Sequence, residues 1–189
     1  LENAISRYLV NGEVPGPIGN RHPSITPFEG FTASDGYVIV GAGNDRLWKK
    51  LCELLGKPEL ISDPRFVTNG DRTNNQKALK PILDSVFKTK TIDAWLVVLE
   101  EAGIPCAPIN TVDRVLKDPQ IMARDMIVEV EHPVAGKMHI PGVPIKMSQT
   151  PGTVEKAAPL LGQHTEEILS EILGYDNAKV QELRDKGIL

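Results

Sequence analysis

The stretch from Gly12 to Pro27 limits the folds open to this chain more than any other. It carries Pro15, Pro17 and Pro23 ahead of Pro27, glycines at 12, 16 and 19, and almost no apolar side chains. Proline lacks the backbone donor that helices and inner strands need, and glycine favours turns, so the stretch reads as an extended loop. Before it, Leu1, Ala4, Ile5, Tyr8 and Leu9 recur at the spacing of one helix face, which Asn11-Gly12 ends. A chain whose first residue already belongs to such a face reads as a piece of a longer polypeptide.

Beyond the loop, short β-prone runs alternate with amphipathic helices. Tyr37-Val38-Ile39-Val40, between Asp35-Gly36 and Gly41, reads as a strand. Leu47, Trp48, Leu51, Leu54 and Leu55 then form a helical face closed by Gly56. Ser62-Asp63-Pro64 marks a turn. Leu79, Ile82, Leu83, Val86 and Phe87 form a second helical stripe, with Pro81 near its first turn or kinking it. Thr91 caps a third helix, through Ile92, Trp95, Leu96 and Leu99, that ends at Gly103. Ile104 to Ile109 is apolar but contains proline, as an edge strand does. Short helical pieces are expected at 112–116 and 119–124. Strands are expected at 127–131, 137–140 and 143–147, giving a small antiparallel sheet with a turn at Pro133 to Gly136. A polar linker from Gln149 to Pro159 precedes two last helices, Thr165 to Leu173 closed by Gly174, and Asp176 to Lys186 closed by Gly187.

The chain has 189 residues, a net charge of −4 and a pI near 5.6. That balance offers no basic surface for a phosphate backbone, which argues against nucleic acid and for a small molecule or a protein as partner. Cys52 and Cys106 are too few for a disulfide scaffold and have no ligand-spaced neighbours, so they read as free thiols. No apolar run has bilayer length and no leader is visible, so no membrane partner is expected and cytoplasmic residence is the default expectation.

Chemistry-bearing residues are sparse. Gly19-Asn20-Arg21-His22-Pro23 puts a guanidinium and an imidazole on a loop with little reason to pack, as both binding loops and plain solvated loops do. Gly41-Ala42-Gly43-Asn44 stands between a strand and a helix like a phosphate-cradling turn. It lacks the third glycine and later acid of a dinucleotide fingerprint, so Asn44 or Asp45 reads better as a helix cap. His132, His139 and His164 lack metal-ligand spacing and read as polar surface. Cys106 sits among apolar neighbours, which argue for a buried, inert thiol. Trp48 and Trp95 lie on apolar helix faces and read as core.

Several ordered motifs resemble family III coenzyme A-transferases, the group of formyl-CoA transferase, carnitine/crotonobetaine CoA-transferases and α-methylacyl-CoA racemase. They are Gly19 to Pro23, Asp35-Gly36-Tyr37 with Trp48 and Leu51-Cys52, Asp63-Pro64-Arg65-Phe66, and Gly103 to Asn110. Asp118-Pro119-Gln120, Ala123 to Met126 and Ala158 to Thr165 continue the series. The resemblance implies an α+β chain: residues 1–27 end a linking helix and supply an extended active-site loop, and 28–148 form a small domain of helices and antiparallel sheet. Residues 149–189 are a linker and carboxy-terminal helices that return to a large domain not contained here. It implies CoA thioesters and carboxylic acids as substrates, no tightly bound cofactor, and an interlocked homodimer. The family's transferases attack with an aspartate from the amino-terminal part, which splits a hard acyl exchange into easier steps. No catalytic residue is therefore expected here, and the chain alone is expected to be inactive. The formyl-CoA branch closes a glycine-rich loop over the thioester. Gly19, Asn20, Arg21, His22 and Pro23 occupy that place as expected substrate-binding residues, with Arg21 facing an acyl carboxylate and His22 lining the acyl pocket. The loop's departure from a string of glycines points away from formyl and oxalyl substrates. Two alternatives are a portion of a 2-methylacyl-CoA racemase and a non-catalytic dimerisation module.

Overall fold

A computed structural model describes residues 2–189. Leu1, included in the expected helix face, lies outside the described residues. The chain divides into two compact units, the first running to Asn110 and the second covering Thr111–Leu189. It mixes helices with antiparallel sheet, as the α+β expectation has it.

The first unit opens with helix α1 (Glu2–Asn11), and residues 12–27 then run without helix or strand. Strands β1 (Phe28–Thr32), β2 (Tyr37–Gly41) and β3 (Cys106–Pro108) form an antiparallel sheet in that order. Phe31 faces Val38 across the first pair, and Val40 faces Cys106 across the second. Four helices follow β2: α2 (Asp45–Leu54), α3 (Glu59–Ser62), α4 (Asn69–Asn74) and α5 (Gln76–Phe87). Helix α6 (Ile92–Glu101) leads into β3. Phe31, Val38 and Val40 from the sheet are buried in one cluster with Trp48 and Leu51 of α2, Leu79, Leu83 and Phe87 of α5, and Trp95 and Leu99 of α6. Phe87 stacks on Phe31 at 4.8 Å and meets Trp95 at 4.9 Å, while the Trp95 indole donates to the Phe87 carbonyl at 2.7 Å. Aromatic groups of this size dominate the burial that holds a core, and the indole hydrogen bond removes the cost of hiding its N–H.

In the first unit the expected helices form where expected, with Asn44 and Thr91 accepting from the amides of Leu47 and Ala94 as caps. Pro81 stands one turn inside α5, on its exposed side. Strand β1 and helices α3 and α4 have no counterpart in the sequence reading. In β1 the buried face carries Glu29 beside Phe31 while Phe28 points outward, an inversion that conceals the alternation of a half-buried strand.

The second unit holds α7 (Val112–Val115), α8 (Pro119–Ala123) and a hairpin of β4 (Ile127–His132) with β5 (Gly136–Pro141). The His132 ring accepts from the amides of Val134 and Ala135, which makes it a turn cap. The strand expected at 143–147 does not form. Gly142 donates to the Met126 carbonyl and lies so close to Asp125 that a Cβ would meet its carbonyl oxygen at 2.2 Å, which turns the chain out of the hairpin. Pro144 then removes a donor that a third strand would need. The helix expected over 165–173 is a short turn, α9 (Thr165–Glu167), followed by a π-helical stretch, Ile168–Ile172. Helix α10 (Asn177–Asp185) matches its expectation, with Asp176 as cap and Gly187 in the left-handed region.

Among the described residues no helix is long and apolar enough to cross a membrane, and no group of three or more His, Cys, Asp or Glu is placed to hold a metal ion.

Candidate functional site

The loop that carries Gly19 to Pro23 is fastened to the first unit mainly along its second half. Gly19 takes a positive φ of 71°, which glycine adopts without strain, and its turn leads into Asn20 and Arg21. The Asn20 amide lies above Gly30 of β1, 2.8 Å from where a Cβ would stand, so only glycine leaves room for it. His22 donates its backbone N–H to the Phe28 carbonyl at 2.9 Å, and its ring lies parallel to that of Phe28 at 5.5 Å. Its Nδ1 accepts from the Ser24 amide, which puts the proton of the neutral ring on Nε2.

Three residues of α4 hold the rest of the loop, Asn69, Arg72 and Thr73, whose hydroxyl donates to that of Thr26 at 3.2 Å. Asn69 donates to the Ser24 carbonyl at 2.8 Å and accepts from the Thr26 amide at 3.0 Å, as a strand partner would. Arg72 is completely buried. Its Nε donates to the Thr26 carbonyl at 2.7 Å, Nη1 to the carbonyls of Phe66 and Val67, and Nη2 to the Gly43 carbonyl and the Asp45 carboxylate. Those bonds use every donor a guanidinium has. Its charge is offset by Asp45, whose carboxylate faces water, and the guanidinium also lies over the Trp48 ring at 5.2 Å. One side chain thus ties the loop to the β2–α2 turn and to the segment before α4.

Between the loop and that turn lies a cleft of about 650 Å³ lined by Ile25, Phe28, Gly43, Asn44, Leu47 and Asn69, with Gly41 and Pro105 at its floor. At Gly43 a Cβ would stand 1.9 Å from Ile25, so the absent side chain lets the loop approach the turn. The cap reading of Asn44 and Asp45 holds: Asn44 caps α2, and Asp45 pairs with Arg72.

Arg21 differs from its neighbours. It is half-buried and makes no hydrogen bond or ion pair with any described residue. Burial pushes the Cys52 thiol up to about 12 and also raises that of Cys106, although Cys106, expected to be buried, is only half-buried. Both are unpaired. Sequence reasoning picked out the loop but missed Asn69 and Arg72. The pair Thr68 and Asp71, a capping box at the start of α4, was the available sign that a helix began there.

Residues 1–165 match the model of CoA-transferase family III. The chain is 36% identical over its whole length to the human succinyl-CoA:glutarate CoA-transferase, of which it covers 43%. It is 39% identical, over 78% of its length, to the acetyl-CoA:oxalate CoA-transferase of Acetobacter aceti, covering 37% of that protein. The crystal structure of a CAIB/BAIF family protein from Brucella suis superimposes with a TM-score of 0.78 at 36% identity, over 90% of this chain and 44% of that one. The chain therefore spans less than half the length of the relatives it matches, and by the extent of these matches it belongs to CoA-transferase family III.

Proposed function

We propose that this chain forms one wall of a site where CoA passes from one carboxylic acid to another, and that Arg21 holds the free carboxylate of a dicarboxylic substrate. The observation that carries this reading is a half-buried arginine without a hydrogen-bond or ion-pair partner among the described residues, on a loop that is otherwise tied down. A guanidinium presents a fork that matches a carboxylate, and leaving it unpaired when half removed from water has a cost that a bound anion relieves. The name of the human relative agrees with this class, since succinate and glutarate are both dicarboxylic acids with a methylene chain between their carboxylates. In a thioester of such an acid, one carboxylate is linked to CoA and the other remains to be recognised. The apolar cleft lined by Ile25, Phe28 and Leu47 suits the methylene chain between them.

In this reading the attacking carboxylate comes from polypeptide outside these residues, and the working unit is a homodimer. The test uses the protein at its full natural length, with succinyl-CoA as donor and glutarate or butyrate as acceptor. Arg21→Gln is expected to raise KM for glutarate by about 10- to 100-fold, the worth of a charge-assisted hydrogen bond, and to leave KM for butyrate unchanged. Equal treatment of the two acids by the wild type and the variant would overturn the reading.

A further inference from the structure

We infer that Asn69 is a positioning residue for substrate selection, because it fixes the stretch of loop that follows Arg21. The inference rests on the reading that Arg21 holds a carboxylate. Asn69 reaches back 45 residues to Ser24 and 43 to Thr26 and pairs with a carbonyl of one and an amide of the other. It is the only side chain among the described residues recorded as bonding to the backbone of both. The two bonds hold the chain three to five residues past Arg21, and the Phe28 carbonyl holds His22 next to it.

Asn69 is also suited to this role by what it does not do. It stands at the first position of α4, half-buried at the edge of the cleft, and belongs to no part of the buried cluster. Arg72 keeps its own bond to the Thr26 carbonyl, so the loop exit stays attached when Asn69 is lost. Removing Asn69 therefore frees Ser24 and its neighbours while the core remains intact. A guanidinium spread over more positions must be ordered again when an anion binds, and that loss falls on recognition of the anion and not on a step at the thioester.

The experiment measures Asn69→Ala and Arg21→Gln side by side in the protein at its full natural length, with glutarate and butyrate as acceptors. Hydrogen exchange at the Thr26 amide is followed in the same variants. Asn69→Ala is expected to raise KM for glutarate about tenfold, the change that 1.4 kcal/mol produces, and to raise KM for butyrate several-fold less. Exchange at Thr26 is expected to accelerate. Asn69→Asp, which keeps the acceptor for the Thr26 amide but not the donor for Ser24, should fall between the wild type and Asn69→Ala. An Arg21→Gln variant that raises KM for glutarate beside an Asn69→Ala variant that does not would overturn this inference alone. Silence of both variants would overturn the Arg21 reading with it, and an equal rise for both acids would reduce Asn69 to a general structural role.

Discussion

Arg72 shows how much a single side chain can decide. Four of its five hydrogen bonds go to backbone carbonyls, at Thr26, Gly43, Phe66 and Val67, and those at Thr26 and Phe66 are buried where no water would replace the donor. Arg72→Met keeps much of the volume but leaves those carbonyls and part of the Asp45 charge uncompensated. A loss of about 2 to 5 kcal/mol is expected in urea denaturation of this chain, at about 1 to 3 kcal/mol for each buried carbonyl left without a donor, and a loss under about 1 kcal/mol would contradict the assignment. Arg72→Lys should recover only part, because an ammonium lacks the fork that reaches three segments at once. Nothing in the sequence marked this residue. An arginine inside a polar run reads as surface, and its burial becomes visible only when the loop, the β2–α2 turn and α4 are brought together. Arg21, His22 and their neighbours stand out as candidates in the sequence because a cation and an imidazole on a proline-rich loop have few reasons of their own to be there. The sequence showed the loop and hid what holds it.

At the scale of elements, the helices were legible because caps and a 3.6-residue period are local signals. Helix α2 begins at Asn44 and α6 at Thr91, as their side chains dictate. Strands depend on partners. Strand β1 escaped notice because Glu29 occupies a buried position, where the Gln76 amide donates to both of its carboxylate oxygens. The run at 143–147 looked like a strand but has no neighbour to pair with. The turn before α4 shows a local device with a pH signature. Arg65 grips Asp63 through Nε and Nη2, and its backbone N–H donates to the same carboxylate. The side-chain hydrogen bond from Arg65, with the backbone one, pushes Asp63 down to about 2. Because the folded value lies below the unfolded value of about 3.9, the turn gains from Asp63 above that pH and loses the gain as pH falls toward 2. A carbon-detected NMR titration should place the Asp63 midpoint near 2, and a midpoint near 4 would show that the Arg65 pairing does not persist in solution.

At the scale of the molecule, the two units differ in how much they bury. The first encloses a continuous aromatic and aliphatic cluster, whereas Val130 and Val180 are the buried apolar side chains of the second among the described residues. In the second unit Leu161, Ile172 and Ile188 are exposed, and in the first the α1 residues Leu9 and Val10 are as well. The chain spans 43% of the human succinyl-CoA:glutarate CoA-transferase, and in the function proposed for it Arg21 recognises the substrate's free carboxylate. The most direct measurement is a crystal structure of the protein at its full natural length with a bound succinyl or glutaryl thioester of CoA. The expected density places the free carboxylate against the Arg21 guanidinium, within about 3 Å as charge-assisted hydrogen bonds require. A carboxylate held by other groups, with Arg21 left in solvent, would contradict it.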